Sequence, residues 1–312
     1  MTTKGEGRGE GRGARDEGKT LKPLTARPSP LAPQKMEVIK TVSELRERLK
    51  RESRVACVPT MGNIHDGHLS LVRIARSQAP VIVTTIFVNR LQFGQGEDFE
   101  KYPRTFGEDC EKLQAEGNTI VWAPDEKEMY PEPQTFYIDL PKVANKLEGR
   151  FRPGHFRGMA TVVLKLFNCV QPQIAVFGKK DYQQLAIVRR MVEQFALPIR
   201  IVPAETVRAE DGLALSSRNR FLSAAERKEA IRLRQAIIGV RDAVLSGDRN
   251  FIAMEYAAGA LLARHGWNVD YVVVRNQRAV LRPEAHDKEL VVPGAAKLGQ
   301  TRLIDNLEVQ AP

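Results

Sequence analysis

Two histidines stand three residues apart at the start of a predicted helix. His65 and His68 lie in PTMGNIHDGH, residues 59–68, between a buried strand and an amphipathic helix. Gly62 lets the backbone approach a ligand closely, and the unpaired N–H groups of the first helical turn favour an anion. Both imidazoles can donate hydrogen bonds to one phosphate. They could instead be cap residues or surface side chains, but two histidines and a glycine turn at such a junction favour a phosphate site.

The same geometry recurs at a second junction between a strand and a helix. In FGKKDYQQL, residues 177–185, Lys179 and Lys180 stand where phosphates would bind, and Asp181 can cap the helix. Gln184 lies in the first helical turn, near the same crevice. An ordinary charged loop is the alternative, which the repeated geometry disfavours.

A third strand ends in amide side chains. The run IFVNRLQF, residues 86–93, places Asn89 and Gln92 at the end of an apolar segment. Amides can donate hydrogen bonds to a small polar substrate and accept them from it. Asparagine also forms turns at strand ends, so this motif predicts a substrate site and a simple turn equally well.

Hydroxyl and guanidinium groups are combined in the loop GLALSSRN, residues 212–219. Ser216, Ser217 and Arg218 can clamp a polyphosphate there, because arginine stabilises negative charge that spreads in a transition state. The loop also lies near a predicted domain boundary, where substrate clefts are common. Capping serines and a solvated arginine are the alternative.

A basic stretch with interleaved glycines and aromatic residues spans residues 147–158. It contains Arg150, Arg152, His155 and Arg157. We predict a mobile flap over an anionic substrate, in preference to an RNA-binding loop or a solvated loop.

The elements that would position these residues alternate between strands and helices from Met36 to about residue 206. Apolar runs predict strands at residues 55–59, 81–88, 119–122, 174–177 and 199–202. Helical periodicity covers residues 68–77, 107–116, 158–170 and 182–195. Strands that are apolar throughout and alternate with helices indicate a parallel sheet covered on both faces. We therefore predict an α/β fold with a Rossmann-like, doubly wound parallel sheet.

Beyond residue 206 the pattern is that of a smaller α+β domain. It predicts helices at residues 224–245 and 251–265 and strands at residues 269–274, 290–293 and 303–309. Ser223 and Glu226 have the spacing of a capping box. We expect a Rossmann-like domain at residues 36–206 and a smaller C-terminal domain at residues 207–312.

The first 35 residues are of low complexity. They contain the repeat GEGRGEGRG and four prolines, with little to bury, so we expect a disordered tail. Met36 opens the first folded segment and is a candidate start of translation.

Composition excludes several classes of protein. No run approaches the ~18 consecutive apolar residues of a membrane span, and the N-terminal residues lack the apolar core of a secretory signal. Three widely spaced cysteines argue against a disulfide framework or a zinc cluster and favour a reducing, cytoplasmic compartment. The net charge of +10 suits nucleic acid or a phosphate-rich small substrate.

Taken together, the motifs resemble the pantothenate synthetase (pantoate–β-alanine ligase) family. The resemblance runs from about Met36 to Val309, and the order and spacing of its motifs are highly specific. HDGH is similar to the HIGH element of nucleotidylyltransferases and class I synthetases, and LSSRN is similar to a degenerate KMSKS loop. The motifs are PTMGNIHDGH, IFVNRLQF, YPRTFGED, FRPGHFRGMATVV, FGKKDYQQL, ETVRAEDGLALSSRNRFL and TRLIDNLEV.

The resemblance implies a fold, a reaction and partners. It implies a Rossmann-like domain lidded by the smaller C-terminal domain, in a homodimer that requires ATP and Mg²⁺. The pantoate carboxylate would attack the α-phosphorus of ATP to give pantoyl-adenylate and pyrophosphate. The amine of β-alanine would then attack the adenylate to give pantothenate and AMP. Both steps are direct displacements, so the protein would act by positioning and charge stabilisation.

The resemblance also assigns residues, none of them a metal ligand. His68 takes the position of the catalytic proton donor, and His65, Lys180 and Arg218 would share the catalytic work. Gln92 and Gln184 match the positions that hold pantoate, with Asn89 assisting. The ATP-binding positions are Met61, Gly62, Asn63, Ile64, His65, Asp66, Gly67, His68, Gly178, Lys179, Lys180, Asp181, Val207, Leu215, Ser216, Ser217 and Arg218. The chain departs from the family pattern at Arg90, where proline is usual, and at Lys179, where glutamate is usual.

Two other functions compete with this ligase. Another adenylyl or nucleotidyl transferase on the same fold could use a different acceptor, because loops of this type do not specify the acceptor. A nucleic-acid-binding protein could use the basic tail and residues 150–157, with an affinity that falls steeply with salt. The even spread of charge over the body and the lack of an RNA-binding signature weigh against nucleic acid, and we expect no membrane partner.

Overall fold

A six-stranded parallel sheet forms the larger part of the fold. The computed structural model describes residues 35–94, Glu97 and residues 99–312, so the predicted tail lies outside the described residues apart from Lys35. The strand order is β1-β4-β3-β2-β5-β6, which confirms the predicted doubly wound sheet. Its strands are β1 Glu37–Ile39, β2 Val55–Thr60, β3 Val81–Ile86, β4 Ile120–Trp122, β5 Ile174–Gly178 and β6 Arg200–Ala204.

Helices cover both faces of this sheet. They are α1 Val42–Leu49, α2 Asp66–Gln78, α3 Phe106–Ala115, α4 Glu126–Met129, α5 Glu148–Phe151, α6 His155–Val170 and α7 Tyr182–Gln194. Successive residues of β2 point to opposite faces: Cys57 packs in the cluster with α1, α6 and α7, and Val58 packs in the cluster with α2 and α3. This two-sided burial explains why the strands are apolar throughout.

The strand order reverses between β2 and β5, which lie side by side in the middle of the sheet. In open α/β sheets, ligands bind beyond the carboxyl ends of the strands at such a switch point. The loops that leave these two strands carry His65 and Lys180. The topology therefore brings the two predicted phosphate-binding junctions to one place.

A smaller antiparallel sheet follows. Its strands are β7 Asn268–Val272, β8 Arg275–Asn276, β9 Glu289–Leu298 and β10 Thr301–Gln310, and β9 pairs with all three others. The helices of this part are α8 Ala224–Glu229, α9 Arg232–Leu245 and α10 Phe251–Arg264. Ser223 and Glu226 form the expected capping box at the start of α8.

The structure departs from the sequence predictions in several elements. The helix expected at residues 224–245 is two helices that break near Ala230, and the sequence hid this break because no glycine or proline marks it. β1 was missed, since three residues are too few to show an alternation. The strands around residues 290–309 are longer than expected and form one ten-residue antiparallel pair, β9 with β10. In the described part of the chain, no helix is both long and apolar enough to span a membrane.

Candidate active site

A cavity of about 230 Å³ opens beyond the carboxyl ends of β2 and β5. A second cavity of about 580 Å³ shares Lys180, Asp181, Gln184, Ser216 and Arg218 with it and has residues of β9 and β10 in its wall. The first cavity brings together most of the residues predicted from the sequence. These are Met61, His65, Gly67, His68, Asn89, Gln92, Gly178, Lys180, Asp181, Gln184, Val207, Leu215, Ser216, Ser217 and Arg218.

Five predicted ATP-binding residues lie outside the walls of both cavities: Gly62, Asn63, Ile64, Asp66 and Lys179. Four of them belong to the loop and first helical turn that carry the two histidines. Their contact with a nucleotide stays a prediction.

The two histidines cap helix α2 and line the cavity at the same time. The backbone N–H of Gly67 donates to His65 Nδ1 at 3.1 Å, and the backbone N–H of His65 donates to His68 Nδ1 at 3.4 Å. A neutral imidazole that accepts at Nδ1 carries its proton on Nε2. Both rings therefore keep an Nε2–H donor, so capping and ligand binding are compatible roles.

Both histidines are neutral at pH 7. Burial, with the charge of Lys180 nearby, lowers the pKa of His65 from 6.5 to about 4. Burial, His65 and Lys180 together lower the pKa of His68 from 6.5 to about 3. The imidazoles thus offer uncharged hydrogen-bond donors, while positive charge at the cavity comes from lysine and arginine.

A buried carboxylate shapes the loop that leads to the histidines. Gly62 and Asn63 have positive φ angles of 82° and 51°, a conformation that glycine adopts readily and asparagine tolerates. Asp109, only 1% exposed, accepts the backbone N–H groups of Asn63 and Ile64 at 2.8 and 2.7 Å. Asp109 holds the turn from the neighbouring helix α3, a role that sequence reasoning missed, because a carboxylate in a first helical turn usually faces solvent.

A backbone carbonyl fixes the polarity of the amide side chains. The carbonyl of Gly158 can only accept, so it takes a hydrogen bond from Asn89 Nδ2 at 3.3 Å. Asn89 Nδ2 also donates to Gln92 Oε1 at 3.1 Å, and the hydroxyl of Tyr130 donates to Asn89 Oδ1 at 2.8 Å. The Nε2 group of Gln92 consequently faces Met61 and the cavity. Gln92 presents donors to a ligand, which suits an acid with acceptor oxygens.

The variant Gln92→Glu tests this polarity with little change in shape. The introduced carboxylate can still accept from Asn89, but its other oxygen would face the bound acid, so an acceptor replaces a donor. We expect KM for a carboxylic acid substrate to rise about 10- to 100-fold, because hydrogen bonds to charged groups contribute ~1.5–3 kcal/mol. Steady-state kinetics should show an unchanged KM for the polyphosphate substrate; an unchanged KM for the acid would contradict the predicted polarity.

The stretch at residues 147–158, predicted as a mobile flap, is largely helical, and several of its residues line the larger cavity. This stretch contains the short helix α5 and the start of α6, and Phe156 and Gly158 are buried. Gly158 allows close packing, since a Cβ at that position would collide with the carbonyl oxygen of Leu91. The glycine that suggested mobility is instead the point where α6 presses against the segment carrying Gln92.

His155 joins the backbone of Gln92 to an ion pair. Its Nδ1 lies 2.9 Å from the carbonyl oxygen of Gln92, which can only accept, so Nδ1 carries the proton. Its Nε2 then accepts from Arg152 at 3.1 Å, and Arg152 pairs with Glu97. Burial, together with Arg152, lowers the pKa of His155 from 6.5 to about 4. His155 and Arg152 thus support the backbone of Gln92, and both also line the larger cavity.

The depressed pKa of His155 makes stability depend on pH. Between pH 6.5 and about 4, the unfolded chain binds a proton at this position that the folded chain does not. The free energy of unfolding should therefore fall with decreasing pH in that window, by about 1.4 kcal/mol per pH unit from His155 alone. Urea titrations of His155→Gln, whose amide can donate and accept without titrating, should show a shallower slope; equal slopes would contradict the assignment.

The two adjacent lysines after β5 have different surroundings. Lys179 Nζ pairs with Glu205 at 2.5 Å and with Glu308 at 2.6 Å. Lys179 lies outside both cavity walls, whereas its partner Glu205 lines the cavity of the histidines. Lys180 lines both cavities. Asp181 makes no capping hydrogen bond, contrary to expectation, and its exposed side chain lies at the wall that the cavities share. The cation that this loop offers to a ligand is therefore Lys180.

The loop with the serines and the arginine completes the wall of the cavity that the histidines line. Ser216 caps the short 3-10 helix Ser217–Phe221 by accepting the backbone N–H of Arg218 at 3.2 Å. The Arg218 side chain lines both cavities. Ser216 therefore caps a helix, as the histidines do, and also lies in the cavity wall together with Arg218.

The arrangement suits transfer chemistry on a polyphosphate. Neutral imidazole donors, Lys180 and Arg218 can stabilise charge that develops on phosphate oxygens, and Gln92 can orient an acid. The cysteines Cys57 and Cys110 are unpaired and lie outside both cavity walls. Among the described residues, no group of three or more His, Cys, Asp or Glu side chains could hold a metal ion.

Comparisons with known proteins identify relatives over nearly the whole described chain. A family model described as pantoate-beta-alanine ligase matches residues 36–308. The pantothenate synthetase of Nitrosospira multiformis is 57% identical over 274 residues, which cover 88% of this chain and 98% of the relative. That of Nitrosomonas europaea is 56% identical over 277 residues, 89% of this chain and 100% of the relative.

Solved structures agree with the fold. Pantothenate synthetase from Thermus thermophilus is 43% identical, with a TM-score of 0.84 over 88% of this chain and 100% of that chain. A pantoate-beta-alanine ligase from Francisella tularensis, complexed with beta-gamma ATP and beta-alanine, is 29% identical, with a TM-score of 0.71 over 87% of this chain and 97% of that chain.

Proposed function

The chain belongs to the pantoate-beta-alanine ligase family, and we infer that it condenses pantoate with β-alanine in an ATP-dependent reaction that yields pantothenate. The observation that carries this function is the shared cavity: His65, His68 and Lys180 line it together with an acid-binding amide, Gln92, at the switch point of the sheet. The activation of a carboxylate by ATP requires one cavity that holds both hydrogen-bond donors for phosphate and a binding site for the acid.

We propose that the reaction passes through pantoyl-adenylate. A carboxylate oxygen of pantoate attacks the α-phosphorus, and the bond to the β-phosphate breaks to release pyrophosphate. The β-alanine nitrogen then attacks the acyl carbon, the bond to AMP breaks, and the amine loses a proton. No side chain forms a covalent bond in either step, so the residues act by orientation and charge stabilisation.

We propose the following roles for the residues, which the geometry supports. The Nε2–H groups of His65 and His68 donate to phosphate oxygens, and Lys180 and Arg218 offset charge that accumulates on the leaving pyrophosphate. Gln92 donates to pantoate, with Gln184 in the wall of the same cavity. These assignments rest on the positions of the side chains and on the family resemblance.

Mg²⁺ fits this site as an ion bound mainly by ATP. Mg²⁺ prefers oxygen ligands and commonly binds through one or two carboxylates together with substrate phosphates. Asp181 supplies one exposed carboxylate at the wall shared by the two cavities. When bound, Mg²⁺ would neutralise phosphate charge.

Further proposals concern domains and assembly. We propose that residues 36–206 form the substrate-binding domain and residues 207–312 a lid. A homodimer is proposed on the family resemblance, and light scattering on the purified protein tests it: a monomer mass near 35.0 kDa would refute it. Three free cysteines fit a reducing, cytoplasmic compartment.

Product analysis separates this ligase from its competitors. AMP and pantothenate should form only when ATP, pantoate and β-alanine are all present. ATP turnover that requires a different carboxylic acid would support a transferase with another acceptor. ATP-independent, salt-sensitive binding of nucleic acid without turnover would support the third hypothesis.

A further inference from the structure

Strand β10 of the small sheet contacts both of the loops whose charged side chains line the cavity. The first loop follows β5 and carries Lys180; the second, residues 208–218, ends in Ser216 to Arg218. Two adjacent residues of β10 make these contacts: Asn306 bonds to the first loop, and Asp305 bonds to the second. Both residues are buried, each about 5% exposed.

Asn306 holds the loop after β5 by its main chain. The two hydrogens of its Nδ2 group are donated to the carbonyl oxygens of Lys179 and Lys180, both at 2.9 Å. One amide that binds both carbonyls fixes the two peptide groups on either side of the Lys180 Cα, from which the side chain leaves. The direction of that side chain is thus set by the small sheet as well as by β5.

Asp305 holds the second loop by a buried ion pair. Its carboxylate accepts two hydrogen bonds from Arg208, at 2.7 and 2.9 Å. Arg208 also donates to the carbonyl of Gly212 at 3.2 Å and to that of Asn306 at 3.3 Å. A two-pronged arginine–carboxylate contact defines orientation as well as distance. Since Arg208 pairs with Ala214 across the loop, this contact places the residues that lead to Ser216.

We propose that Asn306 is a positioning residue for the adenylation step. It fixes the position of Lys180 relative to residues 208–218, the loop that Asp305 binds through Arg208. Asn306 lies in the wall of the larger cavity, but in this role it acts through other residues. The proposal rests on the proposed function, because it takes Lys180 and Arg218 as ligands of the polyphosphate. Misplacement of a catalytic group by about 1 Å can lower a rate by as much as ~100-fold.

Asn306→Asp tests the proposal without a change in shape. An acceptor would then face the carbonyls of Lys179 and Lys180, so the loop must shift. In pantoate-dependent exchange of pyrophosphate into ATP, we expect kcat/KM for ATP to fall at least about tenfold, while KM for pantoate stays unchanged. If Asn306 were merely structural, the variant would have a lower melting temperature, but its kinetic constants for ATP would not change selectively relative to those for pantoate.

Asn118→Asp is the matched control. Asn118 is another buried asparagine; its Nδ2 donates to the carbonyl of Ile120 at 2.8 Å and it lies outside both cavity walls. This variant should lose stability and keep wild-type kinetic constants for ATP. Normal kcat/KM for ATP in folded Asn306→Asp, or an equal loss in Asn118→Asp, would overturn the proposal. Absence of exchange in the wild-type protein would instead refute the proposed function.

Discussion

Replacing His68 with asparagine should lower the rate of pantoate-dependent pyrophosphate exchange by about 100- to 1,000-fold, the usual effect of losing one donor that stabilises transition-state charge. Asparagine can keep the cap, because its Oδ1 can take the place of Nδ1 and accept the backbone N–H of His65. It cannot reach the cavity with a donor. The variant therefore separates the catalytic donor from the helix cap.

His68→Gln and His68→Ala complete the series. Glutamine reaches further and can restore a donor near the Nε2 position, so it should lose less activity than asparagine. Alanine removes both functions, and it should add a loss of stability of about 1 kcal/mol for the missing cap. Exchange at the wild-type rate in folded His68→Asn would show that the imidazole serves only as a cap.

The protonation state of His68 bears on the same role. In the free protein its pKa is about 3, well below neutrality, so the ring acts as an uncharged donor. Binding of a polyanion favours the protonated ring and raises this pKa.

Replacing Lys180 with methionine should lower the exchange rate by about 100- to 1,000-fold, because in the proposed mechanism this charge stabilises the leaving pyrophosphate. Methionine keeps most of the length and apolar volume of the lysine side chain. Lys180 lines both cavities, whereas its neighbour Lys179 lines neither, so the adjacent ammonium group does not replace it.

Lys179→Met provides the comparison for Lys180. The two lysines are adjacent and chemically identical, but Lys179 pairs with Glu205 and Glu308. Its replacement should reduce stability, because both carboxylates lose an ion pair, although Glu308 still accepts the hydroxyl of Tyr182. It should reduce exchange far less. Equal losses in both variants would mean that general positive charge, and no particular lysine, supports the reaction.

Sequence patterns predicted the sheet well, and the structure brings most of the predicted site residues to one cavity. The strands are apolar on both faces, so their runs are visible, and the two strand–helix junctions with His65 and Lys180 mark the switch point. From the sequence, helix capping and ligand binding look like exclusive roles for the two histidines. The structure shows that a ring can cap through Nδ1 and still offer Nε2–H to the cavity.

Long-range partners were beyond the reach of the sequence. Nothing local distinguishes Lys179 from Lys180, because Glu308 lies 129 residues further along the chain. The donor polarity of Gln92 depends on the Gly158 carbonyl, which belongs to another helix. The flap was expected for a similar reason: glycine indicates mobility or close packing, and only the neighbour, Leu91, decides between them.

The most direct test of the central claim is exchange of labelled pyrophosphate into ATP, with Mg²⁺ and without β-alanine. If the protein forms pantoyl-adenylate, label should enter ATP only when pantoate is present, and later addition of β-alanine should release AMP. Exchange that does not require pantoate, or its absence in folded protein that binds ATP, would contradict the adenylate mechanism.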